Sequence, residues 1–189
     1  MQKTVTYFEK PGPHNTEDCL EIVKTNIADF NYKHIIVAST KGDTGQLFAK
    51  SLKDTDVNLV VITHSYGFKE PNTIELTEEA RGRIQAAGAV IYTGTMITHS
   101  LETALAKKFS GVYPTLLVAQ SLRRFGEGIK VCCEMVMMAS DAGLVPEGEE
   151  IVTVAGTGRG ADTVSVIRAV PSKRFLDLKV LEILAKPRL

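Results

Sequence analysis

The sequence predicts a three-layer α/β/α fold, a mostly parallel sheet covered by helices on both faces, and two patterns carry that prediction. Short β-branched runs beginning near Ile35, Val57 and Ala89 alternate with stretches of helical periodicity. Each of these three runs empties into a loop containing small hydroxyl-bearing residues, and each loop leads into a helix. At 189 residues the chain is long enough for one substantial core, so a single domain over 1–189 is expected.

Taken in order, residues 4–8 are a short strand candidate, and KPGPH (10–14) is a turn enforced by two prolines and a glycine. Asn15 is placed to cap a helix in which Leu20, Val23, Ile27 and Phe30 share one face. Ile35 to Val37 form a buried parallel strand, residues 39–45 the turn after it, and 46–52 the next helix. The run 57–63 is apolar enough for burial on both faces. The connection that follows, HSYGFKEPNT (64–73), is long and carries two aromatics, a His and a Gly, as binding loops do. A helix over 77–87 has a capping Thr and two glutamates in its first turn, and it stops at Gly88. After a strand over 89–92 come helices over 98–109 and from Pro114 to about Arg124. IKVCCEMVMMASDA (129–142) is apolar on nearly every face, which predicts a central helix or one at a subunit interface rich in adaptable methionine. Residues 151–155 and 164–170 read as strands, the second more exposed, while 175–184 reads equally as strand or helix.

Composition narrows the function classes. There are 22 basic and 22 acidic residues and no Lys/Arg block, so nucleic acid is not expected as the principal partner. Charges interrupt every apolar stretch well short of a membrane span, and MQKTVTYFEK lacks the apolar core of a secretory signal. A cytoplasmic protein with no membrane partner is expected. Cys19 stands alone and Cys132 and Cys133 are adjacent, so all three are read as small buried residues, with a reactive thiol as the alternative. His14, His34, His64 and His99 show no helical i, i+4 pairing, and no metal site is expected.

Two loops carry candidate chemistry. HIIVASTKGDTG (34–45) places hydroxyls, free backbone N–H groups and a lysine at the start of a helix, where the orphan donors and the helix dipole favour an anion. The alternative is an ordinary turn in which Asp43 or Thr44 caps the helix and Lys41 is solvated. Gly156-Thr157-Gly158-Arg159-Gly160-Ala161-Asp162 joins two strands, so it is not a dinucleotide fingerprint. Its glycines permit close approach to a ligand, and Arg159 offers a bidentate phosphate donor. The alternative there is a glycine-rich hairpin with Arg159 in water.

These two loops, in this order and separation, together with the order of elements from about Asn15 to Val170, resemble the carboxyl-terminal α/β domain of pyruvate kinase. The resemblance is closer to the stand-alone archaeal and bacterial proteins of that family that lack the catalytic barrel. It implies a sheet that is parallel apart from one antiparallel strand near its edge, with two phosphate-holding loops. Thr40 and Lys41 match the family's Thr-Lys, Gly42 lies near its Ser-Gly, and Ser39 and Thr44 supply hydroxyls. Asp43 stands where the family tends to have small or basic residues. The second loop is shorter than in the kinases and lacks their Trp, so the kinase effector is not expected, and without the barrel neither is pyruvate kinase activity. For the stand-alone relatives the implied ligand is flavin mononucleotide (FMN). Its phosphate would lie on residues 39–44, with Gly156, Thr157, Gly158, Arg159 and Gly160 as the second loop. Its ring would lie over the carboxyl ends of the strands near His64, Tyr66, Gly67 and Phe68 and near Thr93, Gly94 and Thr95.

The leading expectation is therefore a binding protein for a phosphorylated small molecule, FMN foremost. One alternative is an enzyme that uses that cofactor or converts a phosphometabolite, with His64 and His99 as its proton-transfer candidates. Another is a regulatory or scaffolding subunit that makes its main contact, as a homo-oligomer or with a partner, through the apolar helix from Ile129.

Overall fold

The computed structural model describes residues 2–188. Among the described residues, seven strands form one sheet: β1 (Thr6–Phe8), β2 (His34–Ala38), β3 (Asn58–Ile62), β4 (Val90–Tyr92), β5 (Glu150–Ala155), β6 (Thr163–Arg168) and β7 (Lys179–Pro187). Their order is β1-β7-β6-β5-β2-β3-β4. All neighbours pair in parallel except β6, which runs antiparallel to both β5 and β7. The expected three-layer architecture and its single antiparallel strand are both present. That strand lies third from the edge, because β7 and β1 add outside it.

The described residues form six α-helices: α1 (Thr16–Phe30), α2 (Asp43–Leu52), α3 (Glu78–Ala86), α4 (Leu101–Phe109), α5 (Pro114–Leu122) and α6 (Glu127–Asp141), of which α1, α2, α3 and α6 pack on the sheet. The central strands are apolar at nearly every position and feed two cores in alternation. Ile35, Val37, Val61 and Val152 pack with Cys19 and Val23 of α1, Phe48 of α2 and Ile84 of α3. Ile36, Val60, Ile62 and Ile151 face the other way, onto Ile129, Cys132, Cys133 and Val136 of α6. Complete burial of a side chain such as Phe48 contributes about 1.5–3 kcal/mol.

Several expectations are corrected. Residues 164–170 were expected to be more exposed, yet β6 is buried from Thr163 to Ile167, because β5 and β7 flank it and α1 and α6 pack on it. The ambiguous segment 175–184 divides into a 3-10 turn (Ser172–Asp177) and β7. Asn15 does not cap α1. It lies in a 3-10 turn, and its side-chain amide donates to the carbonyls of Lys10 and Gly12, tying down the KPGPH turn. Phe30, assigned to the buried face of α1, is 41% exposed, with the Lys3 ammonium 3.5 Å from its ring centroid. The helix expected from Gln46 starts at Asp43, because Gly42 turns the chain with φ 104° and Gly45 N–H is already satisfied by Ser39 Oγ at 2.9 Å. The helix expected from Thr98 starts at Leu101, after a 3-10 turn over Ile97–His99.

The apolar segment 129–142 is central: α6 buries 11 of its residues and packs on β2, β5 and β6. It is therefore not available as the contact surface of a scaffolding subunit. Exposed apolar side chains fall elsewhere, at Leu101 and Phe109 of α4, at Leu117 of α5 and at Val112 between them. Cys19, Cys132 and Cys133 are unpaired and buried. Burial pushes the Cys132 thiol up to about 11 and that of Cys133 up to about 12, and it raises that of Cys19 as well. No helix among the described residues is long and apolar enough to cross a membrane.

Candidate functional site

The chain crosses from β2 to β3 and β4 on one side and places β5 on the other side of β2. The loops leaving the carboxyl ends of β2 and β5 therefore diverge, as they do at the switch point of open α/β sheets. A cavity of about 950 Å³ occupies this place. Its walls come from Ala38 to Lys41, Asp43 and Thr44 at and beyond the end of β2, Ile62 to His64 at and beyond the end of β3, Met96 and His99 beyond β4, residues 156–160 after β5, and Pro13 and Thr16 at the start of α1.

The two loops singled out in the sequence meet here. Ser39, Thr40, Lys41 and Thr44 line one wall, and Gly156, Thr157, Gly158, Arg159 and Gly160 line another. The first intrahelical bond of α2 runs from Gln46 N–H to the Gly42 carbonyl, so the N–H groups of residues 42–44 precede the helical ladder. Arg159 pairs with Asp43 at 3.3 Å across the gap between the loops, both side chains largely exposed. Asp43 is thus neither a helix cap nor turned away from the site. It faces the arginine, and with Lys41 alongside, two cations and one carboxylate leave one net positive charge for an anion.

The glycine-rich loop has a fixed foundation. Buried Asp162 accepts hydrogen bonds at Oδ2 from Gly12 N–H and Thr157 N–H, each 3.0 Å, and at Oδ1 from the Thr163 hydroxyl at 2.8 Å. Thr16 Oγ1 accepts from Ala161 N–H at 3.0 Å. Gly160 has φ 71°, and a Cβ there would lie 2.4 Å from Pro13 Cα, so only glycine fits against the KPGPH turn.

Not every residue expected at the site reaches the cavity. Gly42 sits under the loop, where a Cβ would meet Ala80 at 2.4 Å and Leu76 at 2.9 Å, so its role is to let α2 start close to α3. Tyr66 is 62% exposed and its hydroxyl donates to the Asn72 carbonyl, while Gly67 N–H donates to the Thr73 carbonyl, so both shape the long loop from outside. Thr93 shares a 2.7 Å hydroxyl contact with Thr63, Gly94 packs under the Tyr92 ring, and Thr95 is exposed. Of the residues expected from these two segments, His64 and Phe68 alone line the cavity.

Both histidines sit in networks. His64 Nδ1 lies 2.7 Å from Glu75 Oε2 and its Nε2 3.3 Å from Thr40 Oγ1, and Lys69 Nζ is 2.7 Å from Glu75 Oε1. Burial opposes ionisation of Glu75, yet the hydrogen bonds from Lys69 and His64 hold its carboxyl below the usual range. The Phe68 ring stands between the two imidazoles, 4.3 Å from that of His64 and 6.2 Å from that of His99. His99 Nδ1 lies 3.3 Å from Lys130 Nζ.

Lys130 and Glu134 were absent from the expected site. They are 1% and 3% exposed and bridged at 2.5 Å, four residues apart on the cavity face of α6. Glu134 Oε1 also accepts from the N–H and hydroxyl of Thr98 at 2.6 and 2.7 Å. Despite burial, hydrogen bonds and charges from His99, Lys130 and Thr98 pull Glu134 down to about 2, whereas burial lowers the Lys130 ammonium against the opposing pull of Glu134. The available signal was a Lys and a Glu at i, i+4 in an otherwise apolar helix. Met96, Met135 and Met138 complete an apolar wall beside Phe68.

The family model for the pyruvate kinase α/β domain matches residues 17–168. Among solved structures, a pyruvate kinase from Cryptosporidium parvum is similar at 16% identity over 85% of this chain and 24% of its own, with a TM-score of 0.43. The same organism's pyruvate kinase in complex with ADP matches at 16% identity over 82% of this chain and 24% of its own, also with a TM-score of 0.43. This chain thus spans about a quarter of the length of those kinases. Since the matched segment takes in α1 through β6, the chain belongs to the pyruvate kinase α/β domain family.

Proposed function

We propose that the cavity binds a phosphorylated small molecule, with FMN as the leading ligand. The observation that supports this most is the convergence of the 39–44 loop and the Arg159 loop on one cavity at the carboxyl ends of the strands. A phosphate would take the N–H groups at the start of α2 together with Lys41 and Arg159. The remainder of the cavity suits a flavin in size and lining. Its volume of about 950 Å³ falls at the top of the range for small-ligand sites, and Phe68, Met96, Met135 and Met138 offer apolar and polarizable surface for an aromatic ring. Bound there, FMN would supply redox chemistry through its ring.

Titration with FMN, followed by flavin fluorescence and by the melting temperature, tests the reading. Lys41→Ala and Thr44→Val should each weaken binding while leaving the fold intact, by roughly 1–3 kcal/mol where a charged hydrogen bond is removed. A native mass spectrum of freshly purified protein reports bound ligand and subunit count together. A colourless protein whose melting temperature and flavin signal both ignore FMN refutes the flavin, and indifference to other phosphorylated ligands and to both substitutions refutes the phosphate site.

A further inference from the structure

The cavity wall holds a hydroxyl, an imidazole and a carboxylate in line. Glu75 is a carboxylate and must accept, so the His64 Nδ1 that lies 2.7 Å from it carries the hydrogen. In the neutral ring that leaves the Nε2 lone pair facing Thr40 Oγ1 at 3.3 Å. This is the order of a nucleophile, its base and the group that orients the base, with the loose first distance usual for a site without substrate. Thr40 also stands between a strand and a helix, two residues beyond β2 and three before α2. The N–H groups of Lys41 and Gly42, which follow it, have no intramolecular hydrogen-bond partner among the described residues. Donors in that position are suited to an oxyanion. Lys69 on the second oxygen of Glu75 keeps that carboxylate in place.

We propose that Thr40, His64 and Glu75 form an acyl-transfer site that hydrolyses small carboxylic esters, with Thr40 as nucleophile and His64 as general base. Thr40 Oγ1 attacks the ester carbonyl carbon while its proton passes to His64 Nε2, and the carbonyl oxygen becomes an oxyanion facing the N–H groups of residues 41 and 42. Collapse breaks the ester bond, and the departing alcohol takes the proton from Nε2. A water molecule, deprotonated by the same nitrogen, then attacks the acyl carbon, and as the Oγ1–acyl bond breaks and the carboxylic acid departs, Thr40 Oγ1 takes that proton back from Nε2. The net reaction is ester plus water to carboxylic acid plus alcohol, with no change of oxidation state. Phe68, Met135 and Met138 face the space where the acyl chain would extend. Glu75 touches no substrate and is a positioning residue.

A fluorophosphonate probe, which forms a covalent adduct with activated hydroxyls, tests this by intact and peptide mass, alongside turnover of p-nitrophenyl acetate. The expected result is one adduct, mapped to Thr40, and turnover that rises with pH to a plateau. Thr40→Val and His64→Gln should lose both signals, Thr40→Ser should keep them, and Glu75→Gln should slow both at least tenfold and shift the pH profile. An adduct elsewhere, no adduct, or unchanged turnover in Thr40→Val with an unaltered melting curve overturns the proposal. Absence of labelling in the unaltered protein, with FMN still bound, would sink this relay alone. Labelling of Thr40 without FMN binding would sink only the flavin reading.

Discussion

Replacing Glu134 with Gln isolates the buried ion pair with Lys130. The substitution keeps the shape of the side chain and its acceptor for Thr98, but it leaves the Lys130 ammonium, 1% exposed, without a counter-charge. Breaking a buried pair from one side costs about 3–5 kcal/mol. Although burial opposes its ionisation, the hydrogen bonds and charges of His99, Lys130 and Thr98 hold the Glu134 carboxyl at about 2, below its ordinary range. The sign follows from the depressed value: the contribution is fully present above pH 4.5 and is lost as pH falls toward about 2. Urea unfolding at pH 7 should therefore show Glu134→Gln destabilised by about 3 kcal/mol or more. The acid loss of stability between pH 4.5 and 2 should shrink in the variant by a similar amount. Lys130→Met combined with Glu134→Leu, which removes both charges, should recover most of the stability. A single-variant cost below about 1 kcal/mol, or a double variant as unstable as the single, would refute the reasoning.

Two further outcomes are expected. Gly160→Ala combines a positive φ of 71° with a Cβ 2.4 Å from Pro13 Cα, so it should cost about 1–3 kcal/mol in thermal unfolding and weaken any ligand that needs the Arg159 loop. Cys19, Cys132 and Cys133 should be silent to an aromatic disulfide reagent at pH 8 in the native state and should all react once the chain is unfolded. A thiol that reacts rapidly in the native state would contradict the burial that raises all three.

The scaffold was legible because it rests on short-range patterns. Ile35 to Val37, Val60 to Ile62 and Ile151 to Val154 announce strands buried on both faces, and the small-residue loops after them announce where helices begin. The site was legible in part. Residues 39–44 and 156–160 stood out because glycine, hydroxyls and a basic residue at a strand's end are informative locally. The sequence was silent about Glu75 and Lys69, which lie in a polar loop and take on a role only because the chain folds back on His64. Tyr66, Gly67, Thr93, Gly94 and Thr95 looked equivalent to their neighbours, but orientation removes them from the cavity, and loop orientation depends on packing rather than composition.

The amino-acid sequence by itself determined the alternation of elements and the two anion-suited loops, since each depends on residues within about ten positions of one another, and the order and separation of those loops along residues 17–168 determined the family. The family resemblance implied that these loops hold one ligand, but only the tertiary structure gave the cavity they share and the Asp43–Arg159 pair between them. Residues 39 and 159 are brought together because β5 returns to the far side of β2, a pairing set by the burial of whole strands and invisible to local periodicity. The same long-range packing exposes Phe30, buries β6 and carries Lys130 and Glu134 into the cavity wall. There the low-dielectric interior gives a charge pair its energetic weight.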